Sequence, residues 1–538
     1  MKNRIFILML IAIKTFGLQL QAQTSFMVIS DPHVFETSLF DNGTAFQSSY
    51  ENEPRLVEES QRLFDRAIAI TKKASPTMLL ISGDLTNEGE KRSHEYVKNK
   101  LEGLVDRGIK VYVIPGNHDI DNPYAYSYSG DNKSRTEGIT YEEFATIYAR
   151  CGYQDAVMRQ GLSYMAYPTD DLALICLDST IPNENKTRNS DGALTDATLT
   201  WAEQAAKKAQ NEGRYIIGMM HHEVMEHFDS HLVIASTSVT NSLSNYPSLA
   251  TVQSRLIRAG INVMFTGHFH IQSIQHVTTT DGELHDISTG SLCTYASPIR
   301  KGQISTDGQL SLTVENIDLY YNEEKAHNQY VVEGAIAKLA NQMYPKIAEK
   351  KEELLGSFPS FLVNMLNIPS SAEEMTTDMC RYMVPAFTDL VNTLSAGDEE
   401  KYNPEQKLNA CLSAYDDYFK YLCGNMSFIV SLAKDMMAEA GLDLRDQLEA
   451  ICRSVFYNYV GEATNVVPDN AITLQLTRNI PLLGDLNDDN HVDISDATLL
   501  VNIILGTATD TNGTADLNQD GFVNISDVTT LVNIILGK

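Results

Sequence analysis

The amino-acid sequence predicts a layered α/β domain over residues 23–325, an all-α domain over 326–463 and a small calcium-binding α domain over 484–538. In the first part, short continuous apolar runs alternate with amphipathic helical stretches and turn-rich loops. Beyond it, apolar residues recur at helical spacing with few strand signals, and the last segment is an acidic duplication. Residues 464–483 are predicted to be a linker.

Residues 1–22 are predicted to be a secretory signal peptide. Lys2 and Arg4 precede the apolar stretch "IFILMLIAI", and the small residue Ala22 offers a cleavage site. The stretch is too short to span a bilayer, and no later segment is long and apolar enough to do so. We therefore expect export to a secreted, periplasmic or cell-surface location in a bacterium, without a transmembrane segment.

Composition excludes some functions. The formal net charge is −29, which argues against binding to a nucleic-acid backbone because that requires a basic surface. The seven cysteines are dispersed and include no CxxC pair, so no disulfide framework is predicted. Cys176 and Cys293 lie in apolar surroundings and are predicted to be small core residues.

Five apolar runs in the first domain have the composition of strands buried on both faces of a sheet. Each run leads into residue types that bind metals. The runs are "SFMVIS" before Asp31 and His33, "TMLLIS" before Asp84, "KVYVI" before Asn117, His118 and Asp119, "RYIIGMM" before His221 and His222, and "INVMF" before His268 and His270. The carboxyl ends of parallel strands share one edge of a sheet, where α/β proteins bind ligands. The five polar segments are therefore predicted to converge.

Asp, Asn and His side chains are oxygen and imidazole donors suited to Mn, Fe or Zn. Their number suggests two divalent ions, because one carboxylate can bridge a pair about 3.5–4 Å apart that clamps a phosphoryl group. Water bound to such ions has a lowered pKa and, as hydroxide, can attack phosphorus in line. A group at the edge of the site then protonates the leaving oxygen. The predicted chemistry is phosphoester hydrolysis.

The order DxH, GDxx, GNHD, His and GHxH across residues 31–270 resembles the calcineurin-like metallophosphoesterases. The resemblance implies a four-layer α/β sandwich, with two central sheets flanked by helices, and a dinuclear metal site. It implies that Asp84 bridges the metals, that His118 is the proton donor or phosphate-stabilising imidazole, and that Asp119 orients His118. The implied ligands are Asp31, His33, Asp84 and His270 for the first ion, and Asp84, Asn117, His221 and His268 for the second.

Two positions depart from the usual family pattern. The chain reads "GDLTN" where many members have Asp after GDxx, but that position is not a ligand. Glu223 follows the histidine pair where many members have Pro, which leaves either His221 or His222 as the ligand. His221 is preferred because it follows the apolar run directly. His222 could instead support a ligand, contact substrate or pack in the core.

The stretches "DNGTAFQ", "GDLTNEGEKRSHE" and "IPGNHDIDNP", together with the helical extension, make the chain similar to bacterial class III cyclic-nucleotide phosphodiesterases. This similarity implies hydrolysis of phosphodiesters, with 3′,5′-cyclic nucleotides as one candidate. A phosphomonoesterase, nucleotidase or nucleotide-sugar hydrolase with the same metal pair is the alternative, because the sequence of the specificity loops does not reveal the substrate. An assembly component with an inactive phosphoesterase domain is the interpretation from a different class.

The end of the chain is duplicated: "GDLNDDNHVDISDATLLVNIILG" at 484–506 returns at 515–537 with 16 of 23 positions identical. Each copy has oxygen-bearing side chains at positions 1, 3, 5, 9 and 12 of a twelve-residue calcium loop, and position 7 offers its carbonyl. The predicted ligands of two calcium ions are Asp485, Asn487, Asp489, His491, Asp493 and Asp496 in the first loop, and Asp516, Asn518, Asp520, Phe522, Asn524 and Asp527 in the second.

Each calcium loop leads into one helix, and the paired units resemble type I dockerins. The resemblance implies a cohesin-like partner, a tether for the enzyme and an association with polysaccharide catabolism. Outside these motifs, His94, His227 and His231 are predicted to be surface or helix residues.

Overall fold

The computed structural model describes most of the chain from Thr24 onward. The described residues are 24–50, 55–181, 191–225, 227, 246–318, parts of 336–349, 364–395, 403–439, 445, 469–478, 483–487, 491–510, 515–518 and 520–536. The predicted signal peptide (residues 1–22), the predicted calcium ligand Asp489 and His231 lie outside the described residues.

Fifteen strands are found in the described residues. They are β1 Thr24–Ile29, β2 Met78–Ile81, β3 Lys110–Val113, β4 Tyr126–Ser129, β5 Asn132–Arg135, β6 Met158–Gln160, β7 Ser163–Thr169, β8 Leu172–Leu177, β9 Tyr215–Met220, β10 Val263–Thr266, β11 Ser273–Thr279, β12 Gly282–Ser288, β13 Pro298–Ile304, β14 Gln309–Asn316 and β15 Ile472–Gln475. The five predicted apolar runs become β1, β2, β3, β9 and β10.

Eleven α-helices accompany these strands in the same part of the chain. They are α1 Thr44–Tyr50, α2 Ser60–Ala74, α3 Lys91–Val105, α4 Tyr141–Ile147, α5 Asp196–Asn211, α6 Leu249–Arg258, α7 Ala372–Ser395, α8 Pro404–Leu422, α9 Ser427–Glu439, α10 Ile494–Ile504 and α11 Ile525–Ile535. Side-chain oxygens of Thr140, Thr195 and Ser248 cap the first turns of α4, α5 and α6 by accepting backbone N–H bonds.

Two large sheets form the centre of the first domain, with strand orders β15-β14-β13-β1-β2-β3 and β11-β12-β10-β9-β8-β7-β6. They pack face to face, as the edge-on contact of Phe26 with Phe265 shows, with ring centroids 5.5 Å apart. Helices α2 and α3 pack against the first sheet. Helices α5 and α6 pack against the second, where Trp201 and Leu256 join its buried residues. The predicted four-layer α/β sandwich is confirmed.

Parallel pairing brings the ends of the central strands level. Ile29 of β1 pairs with Ile81 of β2, which pairs with Val113 of β3. In the second sheet, Met219 of β9 pairs with Phe265 of β10. The chain segments that leave these five strands therefore start from one edge of the sandwich.

Part of the predicted linker belongs to the first domain. Strand β15 pairs antiparallel with β14 at the edge of the first sheet. The fully buried Arg300 on β13 donates to the carbonyl oxygen of Asp469 at 2.7 Å. The all-α region is thus inserted between β14 and β15, and the domain boundary predicted at 325 leaves out a strand of the sheet.

The helical region and the tail each have a core of their own. Met375, Met379 and Met383 of α7 pack with residues of α8, and Leu500 of α10 packs with Leu531 of α11. Within the described residues no helix is long and apolar enough to cross a membrane. Cys176 and Cys293 are buried, as predicted.

Candidate metal centre

The structure brings the predicted metal-binding residues of the first domain together at one edge of the sandwich. They form two groups whose potential ligand atoms lie within 4.8 Å of one another. The first group is Asp31, His33, Asp84 and His270, and the second is His221, His222 and His268.

The first group has the four side chains predicted for the first ion. The Nε2 atoms of His33 and His270 are 3.0 Å apart. His270 Nε2 is 3.4 Å from Asp31 Oδ1, and His33 Nε2 is 3.7 Å from Asp84 Oδ2. Two carboxylate oxygens and two imidazole nitrogens thus face one point, which is a donor set suited to a divalent transition metal.

Backbone amides orient the two carboxylates. The amide of His268 donates to Asp31 Oδ2 at 3.0 Å, and the amide of His118 donates to Asp84 Oδ1 at 2.8 Å. The other oxygen of each carboxylate is left facing the imidazoles. Asp31 Oδ1 is buried and accepts no hydrogen bond within the described part of the chain. A buried carboxylate oxygen of this kind is costly unless a cation faces it, so the residues fit a metal ion.

The second group gathers around His221. Its Nδ1 donates to the carbonyl oxygen of Ser82 at 2.8 Å, which directs Nε2 to Asp84 Oδ2 at 3.3 Å and to Asn117 Oδ1 at 3.2 Å. His222 instead has its Nδ1 2.8 Å from the hydroxyl of Ser179. Contact with the predicted bridging carboxylate therefore favours His221, while His222 packs beside it in the same group.

Burial and neighbouring charges govern protonation at the site. Burial and the charge of Arg55 hold the pKa of His33 well below its ordinary value. Burial and the neighbouring His222 do the same to the pKa of His268. Neutral imidazole is the form that binds metals. Burial also disfavours charge on His221, but the carboxylate of Asp84 outweighs this effect and raises the pKa of His221 to about 10. A positive charge is therefore favoured at the position of this ring.

The ligand-bearing backbone is strained. Five predicted ligands have positive φ angles, a conformation that costs non-glycine residues about 1–3 kcal/mol and clusters at functional sites. These are Asp31 (48°), His33 (41°), Asp84 (47°), His268 (64°) and His270 (62°). Two motif glycines permit the close approach: a Cβ on Gly116 would collide with the side chain of Asp84, and one on Gly267 with that of Asp31.

His118 lies at the edge of the site, with Nε2 3.9 Å from Asp84 Oδ2. Its Nδ1 donates to the carbonyl oxygen of Asn87 at 2.7 Å and lies 3.4 Å from Glu88 Oε2. The structure corrects the predicted role of Asp119. Its carboxylate accepts from the amides of Gly116, Leu85 and Thr86, and so it fastens two loops together instead of orienting the ring of His118.

Arg55 was not predicted to belong to the site. Its Nη1 is 3.2 Å from His33 Nδ1, and because a guanidinium can only donate, the ring accepts there. An imidazole that binds metal through Nε2 carries its proton on Nδ1, so the Arg55 contact and a metal on His33 exclude each other. Sequence reasoning missed Arg55 because this residue lies outside all five motifs and does not follow an apolar run.

Glu223, noted in the sequence only as a departure from Pro, supports the loop between two predicted ligands. Its Oε1 accepts from the amide of Phe269 at 3.1 Å and faces the hydroxyl of Ser288 at 3.3 Å. Burial and the charge of Asp286 raise its pKa well above the ordinary value. His227 is buried with Nε2 3.2 Å from Asp286, which corrects its prediction as a surface or helix residue, and His94 lies in α3 but is buried.

The described parts of the two terminal loops fold as matching units. Asp493 and Asn524 cap α10 and α11, and position-12 carboxylates of Asp496 and Asp527 reach back to the amides of these caps. Asp496 also accepts from the amide of Leu486 at 2.8 Å. The equivalent closures agree with the internal repeat seen in the sequence.

The fold is an α/β sandwich with a cluster of potential metal ligands at one edge. Residues 24–272 match the family model of the calcineurin-like phosphoesterases, and residues 483–536 match the type I dockerin domain. The chain therefore carries a calcineurin-like phosphoesterase domain, whose family implies a dinuclear metal site, and a dockerin domain, which implies binding to a cohesin.

The solved structures that match the chain have low sequence identity to it. A dimetal phosphatase from Danio rerio is 12% identical with a TM-score of 0.38, over 55% of this chain and 96% of that chain. Purple acid phosphatase PPD1 from yellow lupin (Lupinus luteus) seeds is 11% identical with a TM-score of 0.33, over 55% of this chain and 52% of that chain. No curated protein matches the chain.

Proposed function

We propose that this chain is an exported phosphodiesterase that uses two divalent transition metals, Mn, Fe or Zn, and is tethered to a cohesin-type partner through its tail. The observation that carries the proposal is the approach of three imidazoles, those of His33, His221 and His270, to Asp84 Oδ2 and Asp31 Oδ1 at one sheet edge. Cyclic nucleotides are one candidate substrate.

Each group has a distinct role in this function. Asp31, His33, Asp84 and His270 would hold one ion, and Asp84, Asn117, His221 and His268 the other. Bound ions supply Lewis acidity at phosphorus and lower the pKa of water. His118 reaches over the site with Nε2 and is positioned through Nδ1 by Asn87 and Glu88, which suits it to protonate the leaving oxygen or to hold a phosphate oxygen.

Asp84→Ala tests the metal assignment. We expect it to abolish hydrolysis of bis-p-nitrophenyl phosphate and to lower the metal content of protein loaded with Mn²⁺ or Zn²⁺, because it removes the oxygen shared by both groups. Asp106→Ala, which removes a carboxylate with a side chain 65% exposed, is the matched control. Unchanged metal content in Asp84→Ala would refute the assignment.

His118→Ala separates chemistry from metal binding. We expect turnover to fall by roughly 10²–10⁴-fold, the range for general acid–base catalysis, with metal content retained. Loss of metal in this variant would contradict the role. Comparison of the diester with p-nitrophenyl phosphate in the wild-type protein distinguishes the phosphodiesterase from the monoesterase alternative.

A further inference from the structure

A cavity of about 290 Å³ lies beside the metal centre and is lined by none of the predicted metal ligands. Its walls come from the end of α1 and from the segment that contains the hairpin of β4 and β5. Four phenol rings and one ammonium group line these walls, from Tyr50, Tyr124, Tyr126, Tyr128 and Lys133.

The cavity also borders His33 and His118 through two charged residues in its lining, Arg55 and Glu88. Arg55 Nη1 is 3.2 Å from Nδ1 of His33, and Glu88 Oε2 is 3.4 Å from Nδ1 of His118. These two side chains are only 6% and 10% exposed and face each other at 3.7 Å. Glu88 thus lies between the cavity and His118, so a substrate held at the metal centre can extend past His118 into the cavity.

The lining favours a flat, polar group. The exposed ring of Tyr124 offers a flat face for stacking, whereas the ammonium of Lys133 lies over the ring of Tyr126, 4.3 Å from its centroid. An apolar aryl group would bury the charges of Arg55 and Glu88 against carbon, which is costly without hydrogen bonds. A nitrogen heterocycle has both ring faces and edge donors and acceptors for these charged groups. The volume is near the lower limit of roughly 300 Å³ for ligand pockets, which suits one base.

We propose that this tyrosine pocket binds the nucleobase of a phosphoester whose phosphorus is held at the metal centre. The proposal rests on the proposed phosphodiesterase function and assigns its substrate to the nucleotide class. It also places substrate choice in the Tyr124–Lys133 segment, outside the residues that hold metal.

Two diesters with the same leaving group test the pocket: the p-nitrophenyl ester of thymidine 5′-phosphate and methyl p-nitrophenyl phosphate. They differ only in the group that stays on phosphorus. We expect the wild-type kcat/KM to be at least roughly tenfold higher for the thymidine ester, as stacking on an aromatic side chain provides. Tyr124→Ala should bring this ratio toward one. Tyr124 is 46% exposed, so truncation should not disturb folding, and Phe428→Ala, an exposed ring outside the pocket, should leave the ratio unchanged.

A wild-type ratio of kcat/KM values near one would contradict the proposed nucleobase pocket. An equal loss of kcat/KM on both esters in Tyr124→Ala would also contradict it. Hydrolysis of neither ester would instead contradict the phosphodiesterase function. In that case, saturation-transfer NMR with thymidine decides the pocket without catalysis. Transfer to the base protons in wild-type protein and its loss in Tyr124→Ala would support the pocket, and no transfer in wild-type protein would reject it.

Discussion

Asp469→Asn should destabilise the phosphoesterase domain, although Asp469 follows the helical region in sequence. Arg300 is fully buried and donates to the carbonyl oxygens of Asp469 and Ser288 at 2.7 and 2.5 Å. Burial lowers the pKa of Arg300 to about 10, and the charge of Asp469 opposes that fall. Asp469 Oδ1 accepts from the amide of Ile274 at 2.6 Å. Asparagine keeps a carbonyl oxygen for that amide but leaves the guanidinium without the neighbouring negative charge.

Removing one partner of a buried charge pair costs about 3–5 kcal/mol. Because asparagine retains the hydrogen bonds, we expect the free energy of unfolding to fall by about 3 kcal/mol, a large part of the roughly 5–15 kcal/mol of an ordinary domain. Urea unfolding followed by tryptophan fluorescence measures this domain alone, because the chain has one tryptophan and Trp201 lies in α5.

Asp171→Asn is the matched control. Asp171 contacts the same returning segment through Arg478 at 3.3 Å, but its side chain is 64% exposed, so its loss should cost below about 1 kcal/mol. Equal effects of the two substitutions, or no effect of Asp469→Asn, would refute the view that the buried charge holds this segment in the domain.

Three other perturbations have defined outcomes. Glu88→Gln should slow hydrolysis of alkyl esters more than that of p-nitrophenyl esters, because protonation by His118 matters most for poor leaving groups; equal slowing of both would contradict the positioning role. Burial raises the pKa of Glu90 from 4.5 to about 8. The contribution of the protonated side chain to stability is therefore complete below pH 4.5 and is lost as the pH rises to about 8, by up to roughly 5 kcal/mol. In urea titrations, the free energy of unfolding of Glu90→Gln should depend less on pH than that of the wild-type protein. A calcium-selective chelator should unfold the tail, seen by circular dichroism, and leave hydrolysis of small esters unchanged, whereas cohesin binding that persists in excess chelator would contradict the calcium loops.

The convergence of the predicted metal ligands could be anticipated because each lies within a few residues of the end of a buried strand. Strand order then determines their neighbours, and a rule about parallel sheets suffices. Contacts that join distant segments of the chain could not be predicted in the same way. Arg300 and Asp469 are 169 residues apart, and β15 is a four-residue edge strand whose exposure alternates, so no apolar run marked it within the linker. The GNHD motif identified Asp119, but its hydrogen bonds depend on how the loop after β3 meets the loop after β2.

The position of β15 also bears on the proposed tether. The chain leaves the phosphoesterase domain after β14 and returns to it at β15, so the tail starts from the edge of the first sheet and not from the helical region. From Gln475, the last residue of β15, to Asp485, the first predicted calcium ligand, there are ten residues, which span at most about 35 Å when fully extended. A cohesin bound by the tail therefore stays close to the metal centre's own domain, and the length of the helical insertion does not alter that reach.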